Sequence, residues 1–336
     1  MLSKYWSLGL LNICIAAVVS LILCLIIRQL AKRFGAFDQP TGGRKIHQHP
    51  IPLWGGLGIG LTIIVLFLLQ VLSVQIIGFS LGIFLLMVGG ALDDRYNLRP
   101  QWQFLFIVAA CAMVVGTGTN VVHVTNWAGG APIELGWMGY VFAFVWMVVV
   151  TFAMKFMDGL DGLVSGQTVI GAFLIALLAL SVRYFQPEVA VLSFIVAGAF
   201  LGFLPINFHP AKQFLGESGA TIAGFSLGFL SILGGAKLAT GLMALGFPLM
   251  DASFVILGRM SRGVPIWKGD DTHLHFKLLR AGLSQKKVVV IIWSVSLVTG
   301  LIALELQSIG KIFLVCWLLF AVLGLSAWAG SKSKQL

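Results

Sequence analysis

Apolar runs of about 20 residues recur from one end of this chain to the other, the length a helix needs to cross the hydrocarbon core of a bilayer. Their approximate limits are 8–28, 55–73, 76–92, 102–119, 137–154, 167–184, 188–205, 220–236, 238–257, 287–306 and 311–330. A soluble core of 336 residues would not need a chain that is 59% hydrophobic with a mean hydropathy of +0.99. Membrane β-strands would form shorter, alternating segments, and these runs do not alternate. The expectation is an all-α polytopic membrane protein of about eleven transmembrane helices, embedded in a lipid bilayer, with no soluble domain and no clear repeat. The tight gap near 236–238, around Lys237, is the weakest division between runs. Lys4 before the first run resembles the start of a signal peptide. The length of that run and the cations from Arg28 to Arg33 behind it read instead as a retained span.

The net charge is +10 and the pI is near 9.7. In a soluble protein this would suggest nucleic acid; here the placement of the cations gives a different reason and excludes that partner. With the N-terminus outside, inner loops receive Arg28, Lys32, Arg33, Arg44, Lys45, Arg95, Arg99, Lys155, Lys212, Arg259, Arg262, Lys268, Lys277, Arg280, Lys286 and Lys287. The outer side keeps Lys4, Arg183, Lys237 and Lys311. This asymmetry follows the positive-inside rule and puts the C-terminus in the cytoplasm. Cys14, Cys24, Cys111 and Cys316 all lie in apolar stretches, without metal or disulfide spacing.

Only 10% of the residues are charged, and acids near a bilayer default to a functional reading. Asp93 and Asp94 end one run, and Asp158 and Asp161 follow another. Glu217 lies between two more, and Asp270 and Asp271 precede His273 and His275. In the chosen orientation all of these face the cytoplasm. Carboxylates at the C-terminal end of a helix meet its partial negative charge. A divalent cation, or nearby Lys and Arg, would relieve that conflict. Magnesium suits oxygen ligands and bridges to phosphate, and manganese would serve as well. The plainer alternative is solvated acids paired with Arg95, Arg99 and Lys155.

Gly159 and Gly162 allow a tight turn beside Asp158 and Asp161, which either share a helix face or hold separate groups from a loop. Ser218 is the expected N-cap of the helix that Glu217 opens. His273 and His275 are expected in a loop, as donors to a diphosphate. Zinc is disfavoured there for want of a cysteine or a third histidine. Arg44, Lys45 and His47, among glycines, can meet phosphate oxygens, or anionic lipid. Asp251, late in the ninth run beside Pro248, either lines a lipid groove or marks a kink.

Five strings carry a resemblance: RKIHQHPIPLWGG at 44–56, LDDRYNL at 92–98, MDGLDGL at 157–163, NFHPAKQFLGESG at 207–219 and DDTHLHFKLL at 270–279. In this order the chain resembles the polyprenyl-phosphate N-acetylhexosamine-1-phosphate transferase family. The resemblance implies magnesium-assisted transfer of a sugar-1-phosphate from a UDP-N-acetylhexosamine to polyprenyl phosphate, with release of UMP. It implies one catalytic unit over 1–336, with the site built from cytoplasmic loops 31–54, 93–101, 155–166, 206–219 and 258–286. Asp93, Asp94, His273 and His275 would be catalytic, with Asp93 the candidate base or nucleophile-orienting group. Lys45, His47, Lys155, Asp158, Asp161 and Asn207 would bind substrate, and Glu217 and Asp94 would hold the metal. The His-Leu-His-Phe form is closer to the GlcNAc branch than to the muramoyl-pentapeptide branch. The sequence departs from the family pattern at Glu217 (usually Asp), Lys155 (usually Asn) and Phe276 (usually His), and Lys155 with Glu217 would form a compensating pair. An intramembrane prenyltransferase and a lipid or solute transporter are the competing readings. A homodimer is left open.

Overall fold

The computed structural model describes residues 2–40, 49–124, 131–182, 184–234, 245–265, 272–306 and 308–332. The helices are α1 (Leu2–Phe34), α2 (Gly55–Gln70), α3 (Val74–Tyr96), α4 (Pro100–Gly116), α5 (Met138–Met157) and α6 (Leu163–Leu180). They continue with α7 (Pro187–Asn207), α8 (Gly216–Leu233), α9 (Gly246–Ser261), α10 (Leu274–Arg280), α11 (Gln285–Glu305) and α12 (Ser308–Lys332). Two short antiparallel ribbons join them. In one, β1 (Phe37–Asp38) pairs with β2 (Ile51–Pro52); in the other, β3 (His123–Val124) pairs with β4 (Ile133–Glu134).

Each apolar run coincides at least in part with a helix, as a backbone in lipid must satisfy its hydrogen bonds internally. Among the described residues, seven helices are long and apolar enough to cross a membrane: α1, α3, α5, α6, α7, α11 and α12. The chain is thus an all-α, multi-pass membrane protein. α2 and α4 are apolar but shorter. Residues 235–244, including the doubtful division at Lys237, lie outside the described residues.

The core is formed by α6, α7 and α8, which are buried for most of their length, while α1 and α12 expose apolar flanks such as Ile22, Ile26, Phe313 and Phe320. Helices in lipid gain little from burying apolar surface against one another, so close packing over small residues takes that part. A Cβ added to Gly202 would overlap the Ala17 carbonyl, which brings α1 and α7 to backbone contact. Phe67, Phe79, Phe225 and Phe229 stack across α2, α3 and α8, with Phe79 and Phe229 ring centroids 4.2 Å apart. The same three helices meet at one end of the bundle, where the polar residues gather.

Candidate active site

At that end, the last turn of α3 carries Asp93 and Asp94, the last turn of α5 carries Lys155, and the first turn of α8 carries Glu217. Gly90 of α3 and Gly56 of α2 set the register. A Cβ on either would overlap the backbone at Ser218 or Gly219. The Glu217 N–H therefore reaches Asp94 and donates to its Oδ1 at 2.8 Å. The positive end of the α8 dipole offsets the negative end of α3 around this carboxylate. Ser218 is not the N-cap. α8 starts at Gly216 and the Ser218 hydroxyl is buried without a partner among the described residues, so the neighbouring helix's Asp94 takes over that task.

A chain of polar contacts runs on from there. Asp93 Oδ1 accepts from Gln103 Nε2 at 2.7 Å, and Gln103 Oε1 accepts from Lys155 Nζ at 2.7 Å. Lys155 Nζ then pairs with Glu217 Oε1 at 2.5 Å, and both side chains are only 15% exposed. The anticipated contact between Lys155 and Glu217 is formed.

Beside this chain opens a cavity of about 1220 Å³, lined by Arg28, Gln103, Lys155, Asp158, Asp161 and His273 among others. Asp93, Asp94 and Glu217 stand behind Gln103 and Lys155 rather than in the wall itself. Asp158 follows α5 directly. Loss of bulk water around it, then the charges of Glu217 and Asp161, push its carboxyl up to about 7. Its side chain is open to the cavity, so solvent there tempers the shift.

Within the acid cluster, Asp94 and Glu217 are the carboxylates that could hold a hard divalent cation. Asp94 Oδ2 is buried and has no hydrogen-bond partner among the described residues. It lies against Gly216, whose φ of 71° and absent Cβ make the room for it. Asp93, Asp158 and Glu217 add their charges around Asp94, and Lys155 is the ammonium that reaches into the group. Oxygen donors in this excess suit magnesium.

The segment from Asp158 to Gly162 is a turn, with Gly162 at φ 79°, so its two aspartates do separate work. Asp161 Oδ2 accepts from His209 Nδ1 at 2.8 Å (as a neutral or charged ring) and from Ala211 N at 3.1 Å. Asn207 accepts from the Ser165 hydroxyl at 2.7 Å and donates to the Gln213 carbonyl at 3.1 Å. These two bonds hold the amide in place where Asn207 lines the cavity, with its second N–H left over.

The histidines divide as well. His273 precedes α10 and lines the cavity, and its Nδ1 lies 2.8 Å from Asp251 Oδ2. His275 is 0% exposed, and neither ring nitrogen has a partner among the described residues. Burial pulls its ring down to about 4, the nearby Asp251 carboxylate opposing and His273 adding to the effect. A buried ring packed against Gly159 and outside the cavity wall is not placed to bind a diphosphate, which corrects the expectation for His275. Asp251 lines no lipid groove: it is 3% exposed and turned inward. Asp251, His273 and His275 bring ligand atoms within 4.8 Å of one another, yet the direct bond spends two of them on each other. Lys45, His47, Asp270 and Asp271 lie outside the described residues, whereas His49 lines the cavity.

Residues 76–235 match the family model described as glycosyl transferase family 4. Over 325 residues the chain is 34% identical to the probable undecaprenyl-phosphate N-acetylglucosaminyl 1-phosphate transferase of Bacillus subtilis, covering 93% of this chain and 90% of that protein. The chain belongs to glycosyl transferase family 4. It is also 31% identical to the decaprenyl-phosphate N-acetylglucosaminephosphotransferase of Mycobacterium tuberculosis, over 80% of this chain and 74% of that one. A phospho-N-acetylmuramoyl-pentapeptide-transferase of Halalkalibacterium halodurans is 31% identical, over 89% and 97%.

The region matched by the family 4 model holds Asp93, Asp94, Lys155, Asp158, Asp161, Asn207 and Glu217, but not His273 or His275. Two residues of this family 4 site escape sequence reasoning. Gln103 links Asp93 to Lys155, and its signal is an amide in the first turn of an apolar helix after Pro100, where Gln101 offers the same signal. Arg28 reads in the sequence only as a loop cation. It lines the cavity, with its Nε buried and unpartnered among the described residues.

Proposed function

We propose that this chain transfers N-acetylglucosamine-1-phosphate from UDP-N-acetylglucosamine to a polyprenyl phosphate such as undecaprenyl phosphate, as the first lipid-linked step of cell-envelope polysaccharide synthesis. The carrying observation is the continuous contact from Asp93 through Gln103, Lys155 and Glu217 to Asp94 beside one large cavity, in a chain whose relatives are named for this transfer. An oxygen of the lipid phosphate attacks the β-phosphorus of the donor. The bond to the α-phosphate breaks, and UMP leaves with the electron pair. Phosphoryl transfer of this kind asks for charge neutralisation and in-line placement more than for covalent chemistry by the protein.

Asp94 and Glu217 would hold magnesium, which supplies charge neutralisation at the diphosphate when bound. Lys155 stands between that cluster and the cavity, where its ammonium can also meet a phosphate oxygen. Asp93, fixed through Gln103, is the candidate to take the last proton of the lipid phosphate. Asp158 opens onto the same space and is the candidate to hold the nucleoside. Loops 31–54, 93–101, 155–166, 206–219 and 258–286 make one catalytic unit. The loop cations support about eleven spans with the N-terminus outside, which puts this end of the bundle at the cytoplasmic face.

The test is purified protein in lipid nanodiscs with labelled UDP-N-acetylglucosamine, polyprenyl phosphate and magnesium. Label in the lipid fraction with equimolar UMP is expected. Absence of both products across a panel of UDP-sugars would overturn the proposal.

A further inference from the structure

Asp251 is a buried acid that the transfer chemistry above does not use. It sits in α9, 3% exposed, with Phe247, Pro248, Ala252 and Val255 of the same helix also buried. A carboxylate in such surroundings is costly unless it is fully hydrogen-bonded. Both of its oxygens are occupied. Oδ1 accepts from the Leu274 N–H at 2.8 Å, and Oδ2 meets His273 Nδ1 at 2.8 Å. The first bond caps the start of α10. The second does nothing for the helix; it fixes a ring.

A carboxylate is only an acceptor, so the proton between Asp251 and a neutral His273 lies on Nδ1. Nε2 then carries the lone pair. His273 lines the cavity, and with Nδ1 engaged only Nε2 is left for what enters there. His275 stacks on this ring at 5.4 Å between centroids and 19° between planes. Because His275 is buried, it serves as an uncharged plate that holds the His273 plane.

We propose that Asp251 is a positioning residue that fixes His273 with the unprotonated Nε2 facing the cavity, so that His273 accepts a hydrogen bond or proton from a substrate O–H. This rests on the transfer reading above. It reverses the expectation that His273 donates to a diphosphate. Two substrate groups share the needed chemistry: a hydroxyl of the UDP-sugar and, with His273 in place of Asp93 as its acceptor, the last proton of the lipid phosphate.

Asp251→Asn separates this role from the cap. The Leu274 N–H needs an acceptor, so the introduced amide must turn its oxygen there and its NH₂ toward His273 Nδ1. The cap survives, but the ring proton is forced to Nε2, as when a carboxylate behind a catalytic histidine is exchanged for an amide. The experiment combines kinetics in nanodiscs with ¹⁵N NMR of histidine-labelled full-length protein. For Asp251→Asn, the thermal midpoint should hold, the His273 spectrum should switch from the Nδ1–H to the Nε2–H form, and kcat should fall about 100-fold. Asp251→Glu, which keeps an acceptor, should recover part of that loss. On a His273→Gln background, Asp251→Asn should cost no more than about twofold further, since positions acting through one group are not additive. A rise in KM for the UDP-sugar assigns the O–H to the donor; a rise in KM for the lipid phosphate assigns it to the acceptor. An unswitched spectrum, or an equal loss with and without His273, overturns the proposal. If the wild-type protein transfers nothing, the transfer reading fails, and the NMR switch still decides whether Asp251 sets the ring.

Discussion

The acid cluster and the histidine cluster both border the cavity, and they handle buried polarity in opposite ways. At the acid end, Asp94 keeps a buried oxygen unpartnered among the described residues, and Lys155 is the ammonium in contact with the surrounding acids. At the histidine end, Asp251 has both oxygens satisfied by His273 and Leu274, and the unpartnered group is the His275 ring, which burial keeps neutral. Under the proposed function, the first arrangement would accept a cation. The second is closed, and can only orient what faces the cavity. A buried charge without a partner is far costlier than a buried neutral ring, so the two ends should respond very differently to substitution.

The largest expected effect is at the acid end. Asp94→Asn removes the charge but keeps an acceptor for the Glu217 N–H. Turnover should fall on the order of 10³-fold, the scale of losing one electrostatic element in a preorganised site, while the protein stays inserted and folded. Retained turnover would break the contrast. A smaller effect, about tenfold, is expected for Glu217→Asp with Lys155 kept. The shorter side chain withdraws the carboxylate from its 2.5 Å contact with Lys155. An unchanged or faster rate would show that the pair has no role.

These two positions also show what a sequence can disclose. Asp93, Asp94, Asp158 and Glu217 are legible because charge at the edge of an apolar run has few structural excuses. The helices are legible for the same reason, as long apolar runs have one way to satisfy their backbone in lipid. Asp251 is visible in the sequence but its task is not, because its partner lies 22 residues away, beyond the end of α9. No periodicity reports such a contact. Ser218 misleads because a cap can come from another helix, as Asp94 shows. His275 misleads because alternation within HLHF does not tell which histidine faces the cavity and which faces the interior.

Around the buried His275 ring the effects should fall on stability before activity. A Cβ added at Gly159 would overlap His275 Nε2 in a site with no slack. Gly159→Ala should therefore destabilise by about 1–3 kcal/mol, read as a lower midpoint in thermal unfolding in detergent. No shift would mean that the ring is mobile. The last effect is the pH response. His275 is held down to about 4 in the folded protein from its ordinary 6.5. Between those values the unfolded chain binds the extra proton, so stability should decline as pH falls from about 6.5 toward 4. His275→Phe should flatten that part of the profile; an identical slope would assign it to other groups.

The central claim is that carboxylates from distant parts of the chain share one cation beside the cavity. Equilibrium binding of Mn²⁺ to the purified protein, followed by electron paramagnetic resonance, tests it without any turnover. One tightly bound ion is expected in the wild type, with its signal lost in both Asp94→Asn and Glu217→Gln. Full binding in both variants would contradict it.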